Sequence, residues 1–282
     1  MKKVLYRSLF IAVLSAALFN SCKKADVDTE TQSATDNTIA EAEFTAIMPA
    51  TNSRAVQTNG IGKKETGAAT GNGPYVQFVS DTASGTLWPR RIAFDFDRDA
   101  GNGALLANGT LDTDGKIRKG RLSMVYKYKW GFSGCSLVID TMKNYSVNGV
   151  FYNADSITMR INSNTYSMGV YNGSCTDGVW HIKWSATRSY TFSGTGNTDV
   201  SVTGSASGTN RNGLSYTCNI TSPIVKKASC EYISSGTIDL TPSGLATRTL
   251  DYSVDASGAH NNACDNSASL TIKGNTFIFK LE

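Results

Sequence analysis

Histidine is almost missing from this chain, with only His181 and His260 present, and no Cys-x-x-Cys occurs in it. A cysteine–histidine zinc centre needs several ligands at short, regular spacings, so no such centre is expected. The Gly-x-Ser-x-Gly marker of a serine nucleophile is missing as well. His181 stands between Trp180 and Trp184 in a strand-like stretch, and His260 lies in an Asn-rich loop, so neither is placed as a catalytic base. Excess charge is lacking too. Three of the 27 basic residues (Lys2, Lys3 and Arg7) precede residue 22, and the remaining 24 face 23 acidic residues. A nearly neutral chain gives no electrostatic case for nucleic acid as a partner. Beyond residue 22 there is no long apolar run, and from Tyr75 to Glu282 no stretch carries a helical period.

One apolar run does exist, at the amino terminus. Leu9 to Phe19 is apolar apart from Ser15 and follows the basic Lys2, Lys3 and Arg7, the pattern of a secretion signal. A membrane-spanning helix needs about 20 apolar residues, which this run does not supply. The segment 1–21 is therefore expected to be a cleaved signal peptide. Leu18, Phe19, Asn20, Ser21 and Cys22 resemble a bacterial lipobox, with a small residue before the cysteine and phenylalanine where the commonest version has leucine. The resemblance implies lipidation at Cys22 and attachment to a membrane through it, since more than one acyl chain on a residue suffices for stable anchoring. Lys23, Lys24, Asp26, Asp28 and Glu30 resemble the lysine-plus-acid signals that send Bacteroidetes lipoproteins to the cell surface. That likeness favours surface display on the outer membrane over a periplasm-facing position.

The segment 22–74 is rich in Thr, Ala, Asn and Gly and reads as a flexible tether, with Ile39 to Met48 apolar enough for a short helix or an added strand. The segment 75–282 reads as one all-β domain. Asn-Gly begins at Asn108, Asn148, Asn172 and Asn212, and Asp-Gly at Asp114 and Asp177. These pairs accept the positive φ angles of tight hairpins. The clearest hairpin runs from Val200 through the turn Asn210–Gly213 and back to Ile220. Alternation places Leu122, Met124, Tyr126, Tyr128 and Trp130 on one strand face, and Trp180, Ile182 and Trp184 opposite His181 and Lys183. The expectation is an antiparallel meander of hairpins forming a single large sheet or an elongated sandwich. A faint echo links Arg91–Phe96 with Arg248–Tyr252 as two copies of one hairpin theme, without a fixed repeat period.

With Cys22 set aside, five of the six cysteines remain, an odd number, in a compartment that permits disulfides. Cys230 and Cys264 are the first choice for a pair, because each lies at the edge of a predicted strand. Such a loop closure stabilises by roughly 4 kcal/mol in the chain-entropy treatment.

Three stretches together are similar to a family of uncharacterised Bacteroidetes lipoproteins: Asp114–Gly120, Gly204–Gly213, and Cys230 leading to Arg248–Tyr252 and Cys264-Asp265-Asn266. The likeness covers most of residues 85–282 and implies an antiparallel β protein of the cell envelope, without implying an activity. The stretch from Asp251-Tyr252 to Cys264 is longer than the glycine-rich link the resemblance implies.

Two constellations remain. Asp95, Asp97 and Asp99, followed by Gly101 and Gly103, resemble the start of a calcium loop, but Ala100 and Leu106 stand where an EF-hand needs glycine and a bidentate acid. Alternate aspartates sharing the solvent face of one strand is the simpler account, and no cofactor or metal is expected. The rows containing Tyr126, Tyr128, Trp130, Trp180 and Trp184 suit either a core or a stacking platform for sugar rings. The leading expectation is a non-catalytic binding or structural module whose partner is a glycan or an envelope protein. A carbohydrate-active hydrolase is the alternative, because its two carboxylates are paired only in space, about 5 to 10 Å apart, and leave no sequence mark.

Overall fold

A computed structural model describes residues 28–57, 74–79, 88–112, 114–128, 133–193, 199–230, 232–261 and 264–280, without the side chains of 48–50, 52–57 and 78–79. The expected signal segment, Cys22 and Trp130 lie outside these residues.

From Thr31 onward the chain is one compact unit, consisting of a helix, α1 (Gln32–Gln57), and fifteen strands in one sheet. The first strands are β1 (Pro74–Val79), β2 (Arg90–Asp99), β3 (Thr110–Leu111), β4 (Ile117–Tyr126) and β5 (Ser136–Val147). There follow β6 (Val150–Asn153), β7 (Ser156–Asn162), β8 (Thr165–Thr176), β9 (His181–Ser193) and β10 (Asp199–Thr209). The last are β11 (Ser215–Lys226), β12 (Ser235–Pro242), β13 (Arg248–Asp251), β14 (Ser267–Ile272) and β15 (Asn275–Lys280). Neighbours in sequence are neighbours in the sheet, and every pair is antiparallel. Three short strands depart from the simple meander: β3 pairs only with β4, and β6 and β7 share the space between β5 and β8. The architecture is thus the single large sheet, and the hairpin expected from Val200 to Ile220 is the β10–β11 pair, closed by Asn210–Gly213.

The period of two decides which face is buried. On β9, Ile182, Trp184, Ala186, Arg188 and Tyr190 point inward while His181, Lys183 and Thr187 are exposed. On β4, Leu122, Met124 and Tyr126 are inward, as the alternation indicates. The row ends there: Tyr128 lies past the strand and is exposed. A second departure is Asn172-Gly173, which is not a hairpin turn. Asn172 has φ 49° inside β8, where the register shifts between Val170 and Gly173. A β-bulge needs the same positive φ as a tight turn, so the dipeptide alone does not separate the two. The echoed arginines also differ, since Arg91 faces outward to Asp140 at 2.8 Å whereas Arg248 is fully buried.

The largest difference concerns the tether. Its middle is α1, a helix whose Ala40, Phe44 and Ile47 are fully buried. At 1.5 Å per residue a helix of 26 residues is about 39 Å long, much more than the short element expected at Ile39–Met48. The flanks 22–27 and 58–73 lie outside the described residues. The sheet curls around α1. Glu43 meets Arg118 on β4, while Glu41 meets Arg188 on β9. Residues two apart on a helix point about 200° apart, so strands must stand on both sides of it. Phe44 lies at the centre, stacked on Trp184 (centroids 5.5 Å apart, 9° between planes) and edge-on to Tyr152.

Candidate functional site

The helix is held by charge and amide groups as much as by apolar packing. Asp36 accepts hydrogen bonds from the Arg211 backbone N–H (2.7 Å) and Nε (2.8 Å), and the Arg211 guanidinium also covers the Trp180 ring at 4.6 Å. Asn37 Oδ1 accepts from Trp184 Nε1 at 2.9 Å. Glu41 is clamped by Arg188 through Nε (2.6 Å) and Nη2 (2.9 Å), the fork geometry that makes Arg–carboxylate pairs strong. Glu43 accepts from Arg118 Nη2 (3.2 Å), the Tyr145 hydroxyl (3.1 Å) and Lys116 Nζ (3.0 Å). Arg118 in turn donates to Asp112 (3.0 Å) and, from both Nη atoms, to Asp114 (2.8 Å each). The Arg118 guanidinium beside it holds the Asp114 carboxyl below its ordinary pKa of 3.8, against the opposing effect of partial burial. Here three carboxylates converge on one buried cation. Glu43 and Asp112 are buried in that contact, so their role is to hold α1 to β4.

On the other side of α1 the packing opens into a cavity of about 280 Å³. Ala34, Asn37, Thr38, Glu41, Ala42 and Thr45 of the helix form one wall. Val202, Ile220, Ile224, Ile238, Leu240 and Leu250 from β10 to β13 form the facing wall, with Ile233, Tyr190 and Tyr252 beside them. The sequence places these side chains there by simple alternation. Ile220, Ile238 and Leu250 occupy linked register positions on β11, β12 and β13, and Val202 on β10 stands opposite Ile224, so these side chains share the inner face. Burial pushes the Tyr190 and Tyr252 hydroxyls far above the ordinary tyrosine pKa, so both stay protonated donors. Neither hydroxyl has a hydrogen-bond partner among the described residues. Among the described lining residues the charged one is Glu41, whose two oxygens are already taken by Arg188. Chemically this is an apolar chamber with a few uncharged polar groups, the composition of small-molecule sites generally.

The sequence-level candidates fall elsewhere. Asp95, Asp97 and Asp99 share the outer face of β2, with Phe94 and Phe96 fully buried on the inner one. Their oxygens are engaged locally: Asp95 with Arg98 (3.4 Å), Asp97 with the Gly120 N–H (3.1 Å), Asp99 with the Gly101 and Asn102 N–H groups. Among the described residues of the two aromatic rows, Tyr126 and Trp184 are buried, Trp180 is half-buried beneath Arg211, and Tyr128 is exposed. Cys230 and Cys264 are disulfide-bonded, Cα atoms 5.4 Å apart, joining the loop before β12 to the loop before β14. Cys135, Cys175 and Cys218 are free and buried. His181 is exposed on β9, and His260 Nδ1 lies 3.5 Å from Asp251. Sequence reasoning missed the cavity because one wall belongs to a helix of which it offered only a short form at Ile39–Met48, as one of two options, without placing it against the sheet. The usable signal was the inward Val, Ile and Leu series of β10 to β13, longer than any visible partner required. No protein-family model, curated protein or solved structure matches this chain.

Proposed function

We propose that this chain is a lipid-anchored protein of the bacterial cell envelope, attached through Cys22 and working as a non-catalytic binding module whose site is the chamber between α1 and β10–β13. The carrying observation is the chamber itself, about 280 Å³ with an aliphatic wall and two unpartnered tyrosine hydroxyls. A chamber of this kind has no packing role, since filling it would stabilise the fold, so its presence supports a ligand. The convergence of Glu43, Asp112 and Asp114 on Arg118 supports a scaffold more than a hydrolase, because those acids are committed to holding the helix.

Three measurements test the reading. Titration of the full chain with N-phenyl-1-naphthylamine, a neutral fluorophore that brightens in apolar surroundings, is expected to show one saturable site. Ala42 is exposed at the helix edge of the chamber, so Ala42→Trp is expected to abolish that site without lowering the unfolding midpoint. Dye binding indifferent to Ala42→Trp would remove the site. For the anchor, Cys22→Ala is expected to move the protein from the membrane to the soluble fraction, and continued membrane association would count against lipidation. Protease shaving of intact cells separates surface display, where the protein is lost, from a periplasm-facing position, where it is protected.

A further inference from the structure

We infer that the ligand of this chamber is a single uncharged acyl chain of about nine carbons, carried on an ester or amide whose carbonyl is taken by a lining tyrosine hydroxyl, that of Tyr190 or Tyr252. The inference rests on the reading of the chamber as a binding site and adds its ligand class.

Size sets the chain. A volume of 280 Å³, at about 30 Å³ per water-sized group, holds roughly nine methylene-sized groups. One short chain fits and two do not. The facing wall sets the apolar character, since Ile220, Ile238, Leu240 and Leu250 offer only hydrocarbon. Charge complementarity sets the head. The described lining residues include no lysine, arginine or histidine, and Glu41 is the one ion, already neutralised by the fork of Arg188. A carboxylate head would therefore enter beside a carboxylate with no cation among the described lining residues to receive it, a costly burial. The tyrosine hydroxyls, held protonated by burial, donate to a carbonyl oxygen without any such cost.

The test is displacement of bound N-phenyl-1-naphthylamine from the full chain by two parallel series, straight-chain methyl esters and the corresponding free carboxylates at pH 8, from six to fourteen carbons. Ester affinity is expected to rise about fourfold per methylene, the usual worth of a buried CH₂, up to about nine carbons and then stay level. Each carboxylate is expected to bind at least about tenfold more weakly than its ester. The double variant Tyr190→Phe, Tyr252→Phe keeps the rings and removes the donors. It is expected to weaken esters about tenfold while leaving plain alkanes unchanged. A short-chain diacyl phospholipid held below its critical micelle concentration is expected not to displace the dye. Carboxylates binding as well as esters, affinity climbing beyond twelve carbons, or displacement by the monomeric diacyl phospholipid would each overturn the inference. If the dye site is blocked by Ala42→Trp but no ester displaces the dye, the chamber stands and the acyl chain falls. A dye site that ignores Ala42→Trp removes the chamber reading itself.

Discussion

Arg118 is the side chain on which most depends at the residue scale. Removing one partner of a buried ion pair leaves an uncompensated charge and costs about 3–5 kcal/mol. Arg118→Ala leaves Glu43 with Lys116 and Tyr145, and leaves Asp112 and Asp114 without their guanidinium. Its urea midpoint is expected to fall further than that of Glu43→Gln, which keeps the Arg118 contacts to Asp112 and Asp114. The pH dependence has a definite sign. Asp114 titrates below 3.8 when folded, so its contribution is complete above about pH 4 and is lost as pH falls through the folded value. The acid limb of the stability profile is expected to flatten in Arg118→Ala, and urea midpoints between pH 2.5 and 5 measure it. Burial also pushes the Cys175 thiol up to about 12 and the Cys218 thiol up to about 11. Neither is expected to react with iodoacetamide at pH 8 in the native protein, and mass spectrometry before and after urea reads both.

At the scale of elements, α1 is the piece that the residues hid and the sheet the piece they announced. Turn dipeptides and the period of two survive in any sequence that makes hairpins, so β9, β10 and β11 were legible from Trp184, Val200 and Asn210–Gly213. A helix is announced by an apolar stripe. Here much of the buried surface of α1 is Asp36, Asn37 and Glu43, with Glu41 half-buried beside them, and these become buriable only because Arg211, Trp184, Arg118 and Arg188 wait on the sheet. Complementarity across 75 to 175 residues leaves no local pattern to read. Asn172-Gly173 shows the opposite limit, a clear local signal with two structural meanings. The apolar anchor of α1 is Phe44, fully buried between Trp184 and Tyr152. Phe44→Ala is expected to cost about 3–5 kcal/mol by calorimetry or urea titration, the range for large aromatic truncations in a core. A much smaller loss would mean that the helix is not integral to the fold.

For the whole molecule, the Cys230–Cys264 bridge spans 34 positions and ties together two loops of the carboxyl-terminal part of the sheet. Loop closure of that size is worth about 4 kcal/mol. Reduction, or Cys230→Ser with Cys264→Ser, is expected to lower the unfolding free energy by up to that amount while leaving the sheet content seen by circular dichroism intact. The stabilisation belongs to the chain beyond β11, so Arg118→Ala and the cysteine double variant are expected to add.

The placement of α1 has a consequence in time. The helix is made early, yet its partners arrive late: Tyr145 is 102 positions beyond Glu43, Arg188 is 147 beyond Glu41, and Arg211 is 175 beyond Asp36. A fold closed by such distant contacts forms slowly, because no early segment can settle alone. For a chain proposed to cross a membrane unfolded, that slowness is an asset. The polypeptide stays threadable until its last strands emerge, and the helix that completes the core waits for them on the far side.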